Sequence, residues 1–143
     1  MTAQGQGHAS SDDRIRHLDF IQLTITRMAA NSFLLKGWAV TLVAALFALA
    51  ASDSEQRYVF IAYMPIVVFW SLDAFYLSQE RKYRGLYDEV RQLPADQIDF
   101  NLSTAHITVG NTGWIETVMS RTQIGFYASL LAATALVTIS INR

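Results

Sequence analysis

Lys36 and Asp73 are the two side chains best placed to do chemistry, because each interrupts an otherwise apolar run. Lys36 lies in "FLLKGWAVTLVAALFALAA" (33–51), and Asp73 in "YVFIAYMPIVVFWSLDAFYL" (58–77). A charge in such a setting is costly unless it is paired or reaches an interface. Six residues, "SDSEQR" (52–57), join the runs, which forces an antiparallel helical hairpin. The hairpin midpoint falls between Ser54 and Glu55, and Lys36 and Asp73 stand at equal sequence distances from it. A straight hairpin therefore sets them at one depth. Three roles suit them: an intramembrane ion pair, a pore-lining Asp73 that sets ion selectivity or carries protons, and a Lys36 that snorkels to lipid headgroups. The same mirror places Arg27 near Glu80 and Lys82 and predicts an Arg27–Glu80 ion pair further along. Pro65 disturbs the mirror, since a mid-helix proline kinks its helix and frees the carbonyl four residues back.

Other chemistry is sparse. His8, His17 and His106 are scattered outside the apolar runs, and cysteine is absent. No His/Asp/Glu cluster has metal-ligand spacing. Gly110 and Gly113 in "VGNTG" follow no strand and make no phosphate loop. The reading is therefore a non-enzyme with no cofactor and no metal. Asn101, His106 and Asn111 offer polar groups to a small ligand, but a plain surface loop is the better explanation of them. A net charge of −1 gives no bulk attraction to nucleic acid.

The elements that must position Lys36 and Asp73 are membrane-like. Of the 143 residues, 52% are hydrophobic and 16% charged, against about a quarter charged in ordinary soluble domains. A bilayer-crossing helix needs roughly 20 apolar residues. Residues 33–51, 58–77 and 124–141 ("IGFYASLLAATALVTISI") meet or approach that length. The third, rich in Ala, Ser and Thr, also fits a buried amphipathic helix. Nine of the eleven basic residues lie before the first run, at its N-terminal end (Lys36), or between the second and third. The positive-inside rule then gives a cytoplasmic N-terminus and an extracytoplasmic C-terminus; in a bacterium that means the inner membrane. Trp38, Tyr58, Trp70 and Tyr76 fall near the ends of the first two runs, as interfacial aromatics do.

The hairpin helices outrun the lipid. "SSDD" (10–13) supplies N-cap candidates, and no proline follows before Ala51. Ile15, Leu18, Gln22, Ile25 and Ala29 form a weak stripe at helical spacing, and Tyr76, Tyr83, Leu86 and Val90 form another that ends near Pro94. These predict a cytoplasmic two-helix stalk. In "PADQIDFNLSTAHITVGNTG" (94–113), Ile98, Phe100 and Leu102 alternate with polar residues, a short strand-like signal. Asn111 or Thr112 is a cap candidate for a third helix beginning near Gly113, with Glu116 in its first turn. The expected organisation is a disordered tail (1–11), a helical hairpin (12–93), a cytoplasmic loop (94–112) and a third helix (113–143). The fold class is an all-α membrane protein with three transmembrane helices and a small loop that carries the strand-like segment. Two ridges of small residues, Gly37–Thr41–Ala45 and Gly125–Ser129–Ala133, permit close helix packing within or between protomers. Three spans make a thin bundle, so an oligomer is expected.

"RMAANSFLLKGWAVTLVAALFALAA" followed by "FWSLDAFYLSQERKYRGLYDEV" resembles the small two-transmembrane, SLATT-type effectors of bacterial anti-phage and nucleotide-signalling conflict systems. The resemblance covers about residues 20–92; the third span and the 94–113 loop depart from a two-span pattern. It implies a non-enzymatic membrane effector of antiviral defence that assembles into a pore or disrupts the inner membrane when a cytoplasmic sensor signals. The alternative is a structural or regulatory membrane subunit that anchors or recruits a cytoplasmic partner. A membrane enzyme ranks behind both.

Overall fold

The computed structural model describes residues 3–53, 60–108 and 113–141. It is all-helical among these residues, in the order α1 (Ala3–Asp53), α2 (Tyr63–Val90), a short 3-10 turn (Ala95–Gln97), α3 (Trp114–Val118) and α4 (Arg121–Ile141). Helix α1, with 51 residues, is about 76 Å long at 1.5 Å per residue. It starts at Ala3, so residues 3–11, expected as a disordered tail, form its first turns. No proline intervenes there, and extending an existing helix is far easier than nucleating one. The N-cap candidates at 10–13 are consequently interior positions.

Helices α1 and α2 make the main packing of the molecule, and α4 leans chiefly on α2. The buried side of α1 runs through His17, Ile21, Ile25, Ser32, Ala39, Val43 and Ala50. Those intervals of four and seven residues approximate the 3.5-residue repeat of helices wound together. Of the expected stripe, Ile25 is buried and Leu18 packs against the same core, whereas Ile15 is 52% exposed and Gln22 is also exposed. A short apolar stripe is ambiguous where apolar residues occur around the whole helix. On α2, Tyr83, Leu86, Tyr87 and Val90 meet Ile21 and Ile25 in one core, closed by Ile98 and Ile107 from the loop. A second core, further along the hairpin, joins Ala39 and Val43 of α1, Ile66 of α2 and Tyr127 of α4.

Among the described residues, two helices are long and apolar enough to cross a membrane: the Ser11–Ala51 stretch of α1 and the Arg121–Ser140 stretch of α4. Only 17% of each apolar window is buried, so their apolar faces point outward. The expected third such helix, 58–77, is not supported. Tyr58 and Val59 lie outside the described residues, the helix is interrupted at Ala62, and only residues 63–77 precede the charged part of α2. Pro65 sits in the first turn after that interruption and offers no N–H to the Ile61 carbonyl. Asp73 further lowers the apolar character of the segment.

Two more expectations are corrected. No strand forms at 98–102 among the described residues. Asp99 and Asn101 instead accept from the backbone N–H groups of Asn101 and Ser103, both at 2.9 Å, which takes up donors a strand ladder would use. Phe100 adopts a left-handed φ of 56°, which breaks the alternation and turns its ring to His17 and Phe20. The third helix is likewise not continuous. It divides at Met119 and Ser120, where the Ser120 carbonyl accepts the Ile124 N–H at 2.9 Å and starts α4 afresh. Serine suits such a starting position. Asn111 and Thr112, the cap candidates, lie outside the described residues; α3 begins after Gly113, with Glu116 in its first turn.

Candidate functional site: a buried polar cluster between three helices

The antiparallel course of α1 and α2 brings Ser32, Lys36 and Asp73 together at the seam between the two apolar cores. Asp73 is fully buried. Its Oδ2 lies 2.5 Å from Lys36 Nζ and accepts from the Tyr127 hydroxyl at 3.1 Å. Its Oδ1 accepts a short hydrogen bond from Ser32 Oγ. Lys36 Nζ also donates to Ser32 Oγ at 3.1 Å and stands 6.0 Å from the Phe126 ring centre. Both carboxylate oxygens are thus engaged, by one cation and two hydroxyls. Charge-assisted bonds of this kind are about twice as strong as neutral ones. They also supply the neutralisation that a buried carboxylate requires.

The local geometry follows from helix stereochemistry. Ser32 and Lys36 are four residues apart and share a face. Helical side chains lean toward the N-terminus, so the long Lys36 chain reaches back one turn to the carboxylate that Ser32 touches directly. Tyr127 is fully buried and stacks on Trp70 with ring centres 5.6 Å apart and planes 8° from parallel. Trp70 Nε1 donates to the Val118 carbonyl at 3.2 Å, and Trp114 Nε1 to the Ser71 carbonyl at 3.1 Å. These indoles fasten α3 to α2 beside the cluster. Arg81 reaches the Thr117 hydroxyl at 3.4 Å, and Thr117 itself donates to the Gly113 carbonyl at 2.8 Å.

Compared with known proteins, the chain matches no family model, no curated protein and no solved structure.

The other residues singled out from sequence are distributed as follows. Glu80 is held by Arg84, at 2.7 Å, one turn away on α2, whereas Arg27 is exposed on α1 and does not meet it. The intrahelical i,i+4 partner is nearer than one across the seam, which explains the corrected pairing. Gly37, Thr41, Ala45, Gly125, Ser129 and Ala133 are all exposed, so neither small-residue ridge serves packing within the protomer. A Cβ added at Gly37 or Gly125 would meet nothing within 4 Å. An open groove of about 370 Å³ runs over Gly37 and Thr41 between Phe33, Leu34 and Trp38. His106 pairs with Glu89 at 3.1 Å on the surface.

Ser32, Tyr127 and Gln123 escaped the sequence reading. Ser32 carried a signal, since it precedes Lys36 by one helical turn. Tyr127 had none, because the third helix is not related to the hairpin by its mirror. Gln123, one turn before Tyr127, is fully buried with neither amide atom hydrogen-bonded. Among the described residues no group of three His, Asp or Glu side chains is arranged to hold a metal ion.

Proposed function

We propose that this chain is a non-enzymatic integral membrane protein of the bacterial inner membrane that works as a homo-oligomeric, membrane-disrupting or pore-forming effector of antiviral defence. The observation that carries the reading is the outward apolar surface beside the Asp73 cluster. Phe33 and Trp38 on α1, Met64 and Val67 on α2, and Leu136 and Ile139 on α4 are each more than half exposed. Soluble monomers rarely leave contiguous apolar patches beyond a few hundred Å² uncovered. Lipid covers such a surface at no cost.

In this reading α1 and α4 cross the bilayer, with residues 63–77 of α2 packed against them. Tyr127 meets Asp73 and Tyr63 comes within 3.5 Å of Thr138, so α4 runs antiparallel to α2. The hydroxyls of Thr134 and Thr138 bond to carbonyls one turn back, which satisfies them without water. Basic residues favour a cytoplasmic N-terminus and an extracytoplasmic C-terminus. The exposed ridges on α1 and α4 suit contact between protomers. The likeness of residues 20–92 to SLATT-type effectors gives the oligomer its direction, with a cytoplasmic sensor as trigger.

A second reading has its own observation. Ile15, Phe20 and Leu23 are exposed on the polar end of α1, as befits a subunit that recruits a cytoplasmic protein. Expression in cells with a potential-sensitive dye separates the two. An effector arrests growth and depolarises the membrane. Normal potential and growth at high expression with its partner system active, together with co-purification of one soluble protein, would overturn the effector reading in favour of the anchor.

A further inference from the structure

Helix α3 is built inside out for a helix in water. Its one fully buried side chain is a threonine, Thr117. Ile115 and Met119 are 69% and 62% exposed, and Trp114 is 48% exposed. At 100° per residue, Ile115 and Met119 project about 160° and 200° round the axis from Thr117. They therefore form a ridge directed straight away from the protein. The polar contacts, Thr117 to Gly113 and Arg81 to Thr117, face inward. This inversion is not a loose end of chain. Two indole hydrogen bonds, Trp114 to Ser71 and Trp70 to Val118, fix α3 against α2.

The attachment also sets its level. Ser71 lies between Val68 and Leu72, two exposed apolar residues of α2. The α3 ridge thus continues the apolar surface of α2 at the edge nearest Arg81 and Lys82. Past the ridge the chain turns at Ser120, exposes Arg121 and enters α4. An apolar ridge with a tryptophan at one end and basic side chains on its polar border has the composition of an interfacial helix.

We propose that α3 lies in the lipid–water interface of the bilayer, with Ile115 and Met119 inserted among the acyl chains next to the headgroups and Trp114 at the headgroup level. The proposal rests on the membrane reading above and adds α3 to the surfaces that meet lipid. It makes α3 a surface float that holds Trp70, and hence Tyr127 and Asp73, at a defined depth.

The absence of cysteine makes the test direct. Single cysteines are placed in the full chain at Ile115, Met119, Glu116, Leu23 and Leu136, and nitroxide-labelled protein is reconstituted into vesicles of phosphatidylethanolamine and phosphatidylglycerol. All five positions are exposed, so no label displaces a packed side chain. The readout is the ratio of collision rates with oxygen and with a water-soluble nickel chelate. Positions 115 and 119 are expected to give ratios several-fold above position 23 and below position 136, with position 116 nearer the aqueous value. Aqueous ratios at 115 and 119 with a deep ratio at 136 would overturn the interfacial helix and leave the membrane reading standing. An aqueous ratio at 136 as well would overturn both. Brominated lipid, added as a second measurement, separates a lipid cover from a protein one. Quenching of a bimane label at 119 is expected, and an oxygen-accessible but unquenched label overturns the proposal.

Discussion

Neutralising either member of the Lys36–Asp73 pair should cost stability unequally, and the inequality can be worked from exposure. The Lys36 side chain retains 25% of its exposure and the Asp73 side chain none. In Lys36→Met the Asp73 carboxylate stays enclosed with two hydroxyl donors and no cation. Stranding one member of a buried pair costs about 3–5 kcal/mol. In Asp73→Asn the amide keeps one acceptor oxygen, the Ser32 and Tyr127 hydroxyls can rotate to receive its N–H, and Lys36 turns to the surface. That loss is nearer a charged hydrogen bond or two, about 2–3 kcal/mol. The double variant strands no charge, so it should cost less than the two single losses added, by about 2–3 kcal/mol. Exchanging the charges should restore little, because an aspartate at 36 is too short to span the turn that Lys36 spans. The assay is equilibrium unfolding in mixed detergent micelles, followed by tryptophan fluorescence. Additivity of the two single variants within about 0.5 kcal/mol would refute the reasoning. So would a larger loss in Asp73→Asn than in Lys36→Met.

Two further outcomes follow from the polar end of the hairpin. At Phe100, with φ of 56° and its ring against His17 and Phe20, both Ala and Gly remove the ring contacts, but Gly accepts the left-handed backbone. Phe100→Gly should therefore be more stable than Phe100→Ala by about 1 kcal/mol, read by thermal unfolding; the reverse order would mean that φ relaxes freely. Along the stalk, Arg27→Ala should change stability by no more than about 0.5 kcal/mol, whereas Glu80→Gln, which releases Arg84, should cost more in the same measurement. A larger loss at Arg27 would restore the pairing across the seam.

Much of the hairpin was legible because a short connection converts sequence distance into depth. The mirror about residues 54 and 55 set Lys36 opposite Asp73, and the same register packs Ile25 and Ile21 with Leu86 and Val90. It misled for Arg27 and Glu80 because depth alone does not choose a partner. Glu80 had Arg84 one turn away on its own helix, and no cross-seam geometry competes easily with that. The loop was illegible for a related reason. Alternating apolar residues announce a strand only where a second strand exists to pair with it. Here the Asp99 and Asn101 side chains answer the backbone locally.

The cluster's asymmetry bears on how such a chain could respond to a partner. Asp73 sits on α2, its cation and one hydroxyl on α1, and its second hydroxyl on α4. Three helices thus converge on one carboxylate, and among the described residues the Tyr63–Thr138 hydroxyl contact is another polar link between α4 and the hairpin. The two flanking hydrophobic cores gain little directional preference from sliding or rotation of one helix past another. A rotation of α2 by a fraction of a turn would break three charge-assisted contacts at once while leaving much of the apolar packing replaceable. The polar end of the same helix carries Leu86 and Val90 against α1, so any partner that moved the stalk would act on Asp73 through a continuous rod. The cluster is therefore where a change at the stalk would meet its greatest resistance, and where weakening that resistance by Asp73→Asn should make the apolar helices respond most readily.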